Sequence, residues 1–123
     1  MSGKIMVLVV DDEQVIRKCC ERTASPTEFD LKAVHSPEEG LRLIKEEGGF
    51  EIVLTDLKMP GMDGMEFIRQ ARKLAPDVRL VLISGFATDE VRAQAREMGV
   101  EFLAKPFGPK ELLEVLGRKS EEK

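Results

Sequence analysis

The chain has 123 residues, 42% of them hydrophobic and 34% charged, and its net charge of −4 gives it no electrostatic attraction to the phosphate backbone of nucleic acids. Its length suits one compact domain, and its longest apolar run, at 5–10, is far shorter than the roughly 20 residues that cross a bilayer. The adjacent Cys19 and Cys20 make neither a disulfide framework nor a CxxC redox motif. We therefore expect a soluble, cytoplasmic, single-domain protein with no direct contact to nucleic acid or membrane.

Apolar segments that are typical of strands alternate with amphipathic segments along the chain. In chain order, the predicted strands are 5–10, 31–34, 51–55, 78–83 and 100–103. The first and the fourth are near-continuous runs rich in Val, Ile and Leu. Such runs indicate strands that are buried on both faces, as in a parallel sheet covered by helices.

Start and stop signals predict a helix after each strand. The first helix is predicted over 13–24, with an apolar stripe that begins at Val15, and the stripe of the third helix ends at Leu74. The later helices begin at capping residues or prolines, namely Ser36-Pro37, Asp63, Thr88 and Gly108-Pro109. Five β-α units with short connections favour a doubly wound α/β fold, a three-layer sandwich around a five-stranded parallel sheet. Periodicity alone leaves the order of the strands open.

Ionisable side chains follow three of the five predicted strands. Asp11 and Asp12 follow the first strand, Asp56 follows the third, and Lys105 follows the fifth. The fourth strand ends at Ser84, which offers a hydroxyl group. Because binding sites in open parallel sheets form beyond the carboxyl ends of the strands, we expect these side chains to converge at one edge.

Several carboxylates close together at this edge would repel one another unless a positive charge lies between them. On neighbouring strands about 4.8 Å apart, each ionised pair repels by roughly 3 kcal/mol at an effective dielectric constant near 20. Ligation by oxygen alone favours Mg²⁺, with Mn²⁺ as a substitute, over zinc. Lys105 and Ser84 add a cation and a hydroxyl, which suit a dianionic group such as phosphoryl. If that group is carried on Asp56, the carboxylate is the nucleophile, and the turn predicted at 59–62 holds a backbone carbonyl within reach of the metal.

Four segments of the sequence resemble the motifs of response-regulator receiver domains in two-component signalling. They are "LVVDDE" at 8–13, "LTDLKMPGMDG" at 54–64, "ISGFAT" at 83–88 and "FLAKPF" at 102–107. The resemblance covers a core from about Lys4 to Gly117 and leaves 118–123 as a charged tail of a single receiver domain, 1–123. It implies the CheY-like, flavodoxin-like fold with the strand order 2-1-3-4-5.

The resemblance also implies a role for each residue of the site. Asp56 would accept a phosphoryl group from the phosphohistidine of a sensor histidine kinase or a histidine phosphotransfer protein. Asp12 and Asp56 would ligate Mg²⁺ directly, Asp11 would act mainly through water, and the backbone carbonyl of Lys58 would complete the protein ligands. Lys105 would hold a phosphoryl oxygen.

The resemblance also implies that phosphorylation changes the conformation of one surface of the domain. Ser84 would hydrogen-bond a phosphoryl oxygen, and Phe102 would be the switch aromatic that turns inward as Ser84 moves. The fourth helix, fifth strand and fifth helix, roughly 88–117, would then bind an output protein or effector domain, and the chain would be a monomer or a phosphorylation-dependent dimer. Lys58 and Phe86 occupy positions that tune the access of water, so slow loss of the phosphoryl group is expected rather than turnover of substrates. The Lys105-Pro106 peptide is expected to be cis.

Other functions remain open beside this one. A haloacid-dehalogenase-like phosphatase places its general acid two residues after the nucleophile, where this chain has Lys58. A flavin module of the flavodoxin type would bind phosphate at the loop after the first strand, where "DDEQ" at 11–14 repels it. A receiver fold could also serve only as a protein-interaction module, and the two acids at 11 and 12 could simply stabilise a helix N-terminus. The single histidine, His35, lies at a strand end and is assigned no phosphotransfer role.

Overall fold

The computed structural model describes residues 4–118, in which five β-strands alternate with five α-helices. The strands are β1 (Ile5–Val10), β2 (Phe29–Val34), β3 (Ile52–Asp56), β4 (Arg79–Ser84) and β5 (Glu101–Ala104). The helices are α1 (Gln14–Ala24), α2 (Pro37–Glu46), α3 (Gly64–Leu74), α4 (Asp89–Glu97) and α5 (Pro109–Gly117). The charged tail predicted at 118–123 lies, apart from Arg118, outside the described residues. No helix within 4–118 is both long enough and apolar enough to span a bilayer.

The strands form one parallel sheet in the order β2-β1-β3-β4-β5. Alternate side chains of β1 enter two different cores: Leu8 and Val10 pack with α2, α3 and α4, whereas Val7 and Val9 pack with α1 and α5. All four of these side chains are fully buried, because helices cover both faces of the sheet. The predicted three-layer α/β sandwich and the strand order implied by the resemblance are both confirmed.

Three of the predicted strands, at 51–55, 78–83 and 100–103, end one residue too early. Asp56 pairs with Ile83, and Ser84 pairs with Ala104, so both polar residues belong to the ladder. At the ends of β3 and β4 the hydrophobic signal stops where a side chain becomes polar, whereas backbone pairing continues for one more residue. Asp56 and Ser84 are therefore held by the sheet itself rather than by a loop.

The predicted helix starts are confirmed, but two apolar positions are wrong. Oxygens of three side chains each accept a hydrogen bond from the backbone N–H three residues later, and these are Ser36, Asp63 and Thr88. Val15 is 72% exposed and Leu74 is 44% exposed. On α1 the buried line is Ile16, Cys20 and Ala24, and Val15 lies about 100° around the helix from Ile16.

Arg79 links the C-terminal end of α5 to the amino-terminal ends of β4 and β5. Its guanidinium group donates to both carboxylate oxygens of Glu101 on β5, at 2.9 and 2.8 Å. It also donates to the carbonyl oxygens of Val115 and Arg118, both at 2.8 Å. The last carbonyl groups of a helix lack partners within the helix, and Arg79 supplies donors to this end of α5. One side chain thus joins β4, β5 and α5.

Gly64, the first residue of α3, lies against the backbone of Asp56. Its N–H donates to the carbonyl oxygen of Leu57 at 2.7 Å. A Cβ at this position would overlap the Asp56 carbonyl oxygen and would lie 2.9 Å from Leu57 Cα. Because these are backbone atoms, no change of rotamer relieves the overlap. Glycine at 64 therefore sets how closely α3 approaches the end of β3.

Gly64→Ala is expected to lower the free energy of unfolding by at least about 2 kcal/mol, because α3 or the Asp56 backbone must move to admit the methyl group. Urea unfolding followed by circular dichroism measures the change. Gly117→Ala is the matched control: no heavy atom of the described chain lies within 4 Å of its Cβ position, and alanine favours helix. Equal unfolding midpoints for Gly64→Ala and the wild type would contradict the role given to this glycine.

Candidate functional site

The carboxyl ends of β1, β3 and β5 bring one ammonium group and two buried carboxylates together. Lys105 Nζ lies 3.1 Å from Asp11 Oδ2 and 3.4 Å from Asp56 Oδ2. The sheet places Lys105, because its backbone N–H donates to the Ser84 carbonyl oxygen at 2.9 Å. The Lys105-Pro106 peptide is cis, as the resemblance implied. The convergence predicted from the sequence is therefore present.

Backbone N–H groups orient both buried carboxylates. Asp11 Oδ1 accepts a hydrogen bond from the N–H of Glu13 at 2.8 Å, and Asp56 Oδ1 accepts one from the N–H of Leu57 at 2.9 Å. Asp11 is fully buried and Asp56 is 8% exposed. In each carboxylate one oxygen is held by the backbone and the second, Oδ2, faces Lys105.

The oxygen atoms at this edge fit a small divalent cation. One carboxylate oxygen from each of Asp11, Asp12 and Asp56 lies within 4.8 Å of the other two. Although Lys105 Nζ is near Asp11 Oδ2, the geometry makes no hydrogen bond, and this buried oxygen has no hydrogen-bond partner. A buried acceptor without a donor is costly, and a bound cation would satisfy it. An all-oxygen donor set suits Mg²⁺ or Mn²⁺. Ligation by the Lys58 carbonyl stays a prediction.

The electrostatics of the site favour an added positive charge. Burial raises the pKa of Asp56 to about 6, and the charge of Asp11 adds to the rise while Lys105 opposes it. Burial also raises the pKa of Asp11. Burial alone would lower the pKa of Lys105, but its hydrogen bond to Glu13 and its proximity to Asp11 outweigh that effect, and the pKa is raised. Lys105 therefore stays protonated, and it leaves the carboxylates only partly compensated.

The loops after β3 and β4 meet beside this pocket. The Ser84 hydroxyl oxygen, which is buried, accepts a hydrogen bond from the N–H of Phe86 at 2.8 Å. The side chain of Phe86 is exposed, and Lys58 Nζ lies 5.0 Å from the centroid of its ring. Such a distance allows a cation–π interaction. The two residues predicted to tune water access thus contact each other.

Phe102 lies on β5, three residues before Lys105. It is half-buried and packs against the core formed with α2, α3 and α4. The guanidinium carbon of Arg92 lies 4.6 Å from the centroid of its ring. Whether this ring turns when the site is occupied stays a prediction.

Glu13 belongs to the site although the sequence did not single it out. Its Oε1 accepts a hydrogen bond from Lys105 Nζ at 2.8 Å, across 92 residues of sequence. Glu13 precedes α1 and directly follows Asp11 and Asp12, and this position in the sequence was the one indication that it belongs to the site. Charge complementarity to Lys105 could have suggested it, but only once the ends of β1 and β5 were known to be close.

Comparisons with known proteins identify the family. The chain matches the model of the response regulator receiver domain over residues 7–117. It is 36% identical over 117 residues to the sensor kinase CckA of Brucella abortus (strain 2308), a match that covers 91% of this chain and 12% of that protein. It is 32% identical over 124 residues to the C4-dicarboxylate transport transcriptional regulatory protein DctD of Rhizobium meliloti (strain 1021), covering 100% of this chain and 26% of that protein. The chain spans a minor part of the length of either relative.

Solved structures share the fold closely. A response regulator receiver domain protein (CheY-like) from Methanospirillum hungatei JF-1 is 28% identical, with a TM-score of 0.84 over 92% of this chain and 90% of that one. The BeF3-activated DrrB receiver domain is 25% identical, with a TM-score of 0.82 over 92% and 94% of the two chains. The chain belongs to the response regulator receiver domain family. Its class is therefore that of the signalling domains of two-component systems, which are not turnover enzymes.

Asp56→Asn is expected to stabilise the protein when divalent cations are removed, and more at about pH 7.5 than at about pH 5. The pKa of Asp56 is about 6 in the folded protein against an ordinary value of 3.8, so the folded state holds this proton more tightly than the unfolded state does. The stability that protonation contributes is complete below the ordinary value and is lost as the pH rises through the folded pKa. The difference from wild type should reach about 1–3 kcal/mol at the higher pH.

Urea unfolding in EDTA at several pH values measures this difference, and subtracting the two proteins cancels the titration of groups that do not interact with Asp56. Excess Mg²⁺ should reduce the difference in free energy of unfolding between Asp56→Asn and wild type, because a bound cation stabilises only the ionised carboxylate. A stability difference that does not change with pH would show that Asp56 has an ordinary pKa.

Proposed function

We propose that this receiver is switched by phosphorylation of Asp56, with the phosphoryl group supplied by the phosphohistidine of a sensor histidine kinase or a histidine phosphotransfer protein. The observation that carries the proposal is the position of Lys105 Nζ, 3.4 Å from Asp56 Oδ2, beside three acids whose oxygens lie within 4.8 Å of one another. Phosphoryl transfer needs mainly positioning and neutralisation of charge, and these groups supply both.

In the proposed reaction the Asp56 carboxylate attacks the phosphorus atom. A P–O bond forms, the P–N bond of the phosphohistidine breaks, and the electron pair returns to the imidazole nitrogen. With a pKa of about 6, Asp56 is mostly ionised at neutral pH and is available as the nucleophile. The hydrogen bond from the N–H of Leu57 holds the carboxylate in one orientation for this attack.

Two side chains would hold the transferred group. Lys105 would pair with one phosphoryl oxygen, for which its ammonium group is already beside Asp56. The Ser84 hydroxyl oxygen accepts from the N–H of Phe86, so its own proton is available to a second phosphoryl oxygen. Both groups would stabilise charge that develops away from the Asp56 carboxylate.

The acids would hold the cation. Asp12 and Asp56 would be direct ligands, Asp11 would act mainly through water, and the backbone carbonyl of Lys58 would complete the protein ligands. Mg²⁺, or Mn²⁺ in its place, would supply neutralisation of the acids and of the phosphoryl oxygens. Asp11 Oδ2 supports this assignment, because it accepts no hydrogen bond and because Lys105 Nζ, 3.1 Å away, is shared with Asp56 and Glu13.

Loss of the phosphoryl group would be slow. Phe86 and Lys58 contact each other beside Asp56, and together they would restrict the approach of water to the acyl phosphate. The chain would thus hydrolyse only its own phosphoryl group. It would then be a signalling phosphoacceptor rather than a turnover enzyme.

The output would pass through α4, β5 and α5, roughly 88–117. This stretch follows Ser84 and contains Phe102 and Lys105, so a change at the site reaches it first. We propose that it binds an output protein or an effector domain, since two relatives named above are a sensor kinase and a transcriptional regulatory protein. The receiver would occupy 1–123 with a core over 4–117, act in the cytoplasm, and be a monomer or a phosphorylation-dependent dimer.

Incubation with acetyl phosphate and Mg²⁺, followed by intact mass spectrometry, tests the phosphoacceptor. Wild type is expected to gain the mass of one phosphoryl group, whereas Asp56→Asn is expected to gain none. EDTA should abolish the gain, because the acids would then lack their counter-ion. Lys105→Met should slow it by at least about tenfold, as expected for removal of one charge-stabilising group.

Asp63→Asn is the matched control for Asp56→Asn. Asp63 is an exposed aspartate that caps α3, and asparagine caps helices equally well. This variant should be phosphorylated like wild type. Two results would overturn the proposed function: no phosphoryl uptake by freshly prepared wild type, or equal uptake by wild type and Asp56→Asn. The first would favour a protein-interaction module.

A further inference from the structure

Arg92, on the first turn of α4, contacts two separate parts of the chain through its side chain. Its guanidinium carbon lies 4.6 Å from the centroid of the Phe102 ring on β5. Its Nε donates to the carbonyl oxygen of Ala87, in the loop between β4 and α4, at 3.4 Å. Within residues 4–118 this guanidinium group makes no ion pair. The ring and the carbonyl are therefore what orient it.

The loop that Arg92 contacts is tied directly to Ser84. The Ser84 hydroxyl oxygen accepts a hydrogen bond from the N–H of Phe86, the residue before Ala87. A continuous series of contacts therefore runs from Ser84 through the loop to Arg92 and on to Phe102. A movement of Ser84 toward Asp56 would break or shift the first of these contacts and would thereby disturb the segment that carries the Ala87 carbonyl.

Two features make the ring sensitive to this one contact. A phenylalanine ring carries no hydrogen-bonding group, so packing alone orients Phe102, which is only half-buried. The α4 helix is itself lightly attached, since Ala95 is the one buried residue among its nine. The Arg92 guanidinium group over the ring therefore adds a cation–π contact to the apolar packing between α4 and β5, which includes Val91 and Ala95.

We propose that Arg92 is a positioning residue that holds Phe102 in its present half-buried orientation and makes that orientation depend on the loop at 85–88. The proposal rests on the proposed function, because movement of Ser84 on phosphorylation is what would release the ring. Arg92 itself touches neither Asp56 nor the phosphoryl group. It sets the balance between two orientations of Phe102, and leaves the chemistry at Asp56 unchanged.

The experiment observes the Phe102 ring by NMR in protein with isotopically labelled phenylalanine, the signal being assigned by its loss in Phe102→Leu. Wild type without and with beryllofluoride and Mg²⁺ provides the two reference positions. In Arg92→Met, which keeps the aliphatic stem and loses the cation, the metal-free signal should move toward the beryllofluoride position. The population of the turned-in ring should rise about two- to fivefold, the change expected for loss of an exposed cation–π contact.

Two further variants separate this role from a general effect of charge or helix stability. Arg92→Lys keeps a cation over the ring and should restore much of the wild-type position. Arg96→Met removes an exposed arginine one turn further along α4 and should leave the Phe102 signal where it is in wild type. Unfolding midpoints measured alongside report any loss of the helix.

Phosphoryl uptake from acetyl phosphate is measured on the same proteins by intact mass. We expect Arg92→Met to match wild type within about twofold, because the variant leaves Asp56 and Lys105 untouched. No uptake by wild type would refute the proposed function. A metal-free Phe102 signal that is the same in Arg92→Met and in wild type would refute the role of Arg92 whatever the uptake.

Discussion

Two buried carboxylates of like charge face a single ammonium group in this protein, and the rest of the site follows from that constraint. Asp11 and Asp56 come from different strands and would repel each other strongly if Lys105 were absent. The ammonium group is shared further with Glu13, so it cannot compensate each acid fully. Burial raises the pKa of Asp56, the charge of Asp11 adds to the rise, and Lys105 opposes it only in part. Asp11 Oδ2, although it lies 3.1 Å from Lys105 Nζ, accepts no hydrogen bond. A cation bound between the acids would supply the positive charge that Lys105 alone does not.

The sheet holds these like charges close together because it fixes the site residues through their backbones. Asp56 and Ser84 are the last residues of paired strands, and Lys105 follows the next strand with its N–H bonded to Ser84. Gly64 then allows α3 to begin against the backbone of Asp56, which closes that side of the pocket. Asp56 and Ser84 are thus carried on paired strands, and Asp11 and Lys105 directly follow strands, so the sheet limits how far these side chains can move apart.

Much of this could be predicted from the sequence, because it depends on which residues end a strand. The convergence of Asp11, Asp56 and Lys105 follows from parallel strands alone, whereas the strand order came from the family resemblance. Glu13 and Arg92 were beyond reach, since each acts through a long side chain whose direction depends on residues distant in the chain. The misplaced Val15 has a similar cause: the stripe on α1 was set by periodicity, but the angle at which α1 meets the sheet decides which residues are covered.

The hydrogen bonds of Arg79 and the acidic pocket lie at opposite ends of the sheet. It ties the end of α5 beside the first residues of β4 and β5, whereas Asp56 and Lys105 lie at the opposite end of the same strands, about 20 Å away for six residues of extended chain. Arg118 lies at the end of the sheet opposite the acidic pocket, so contacts made at that end do not cover Asp56 or Lys105.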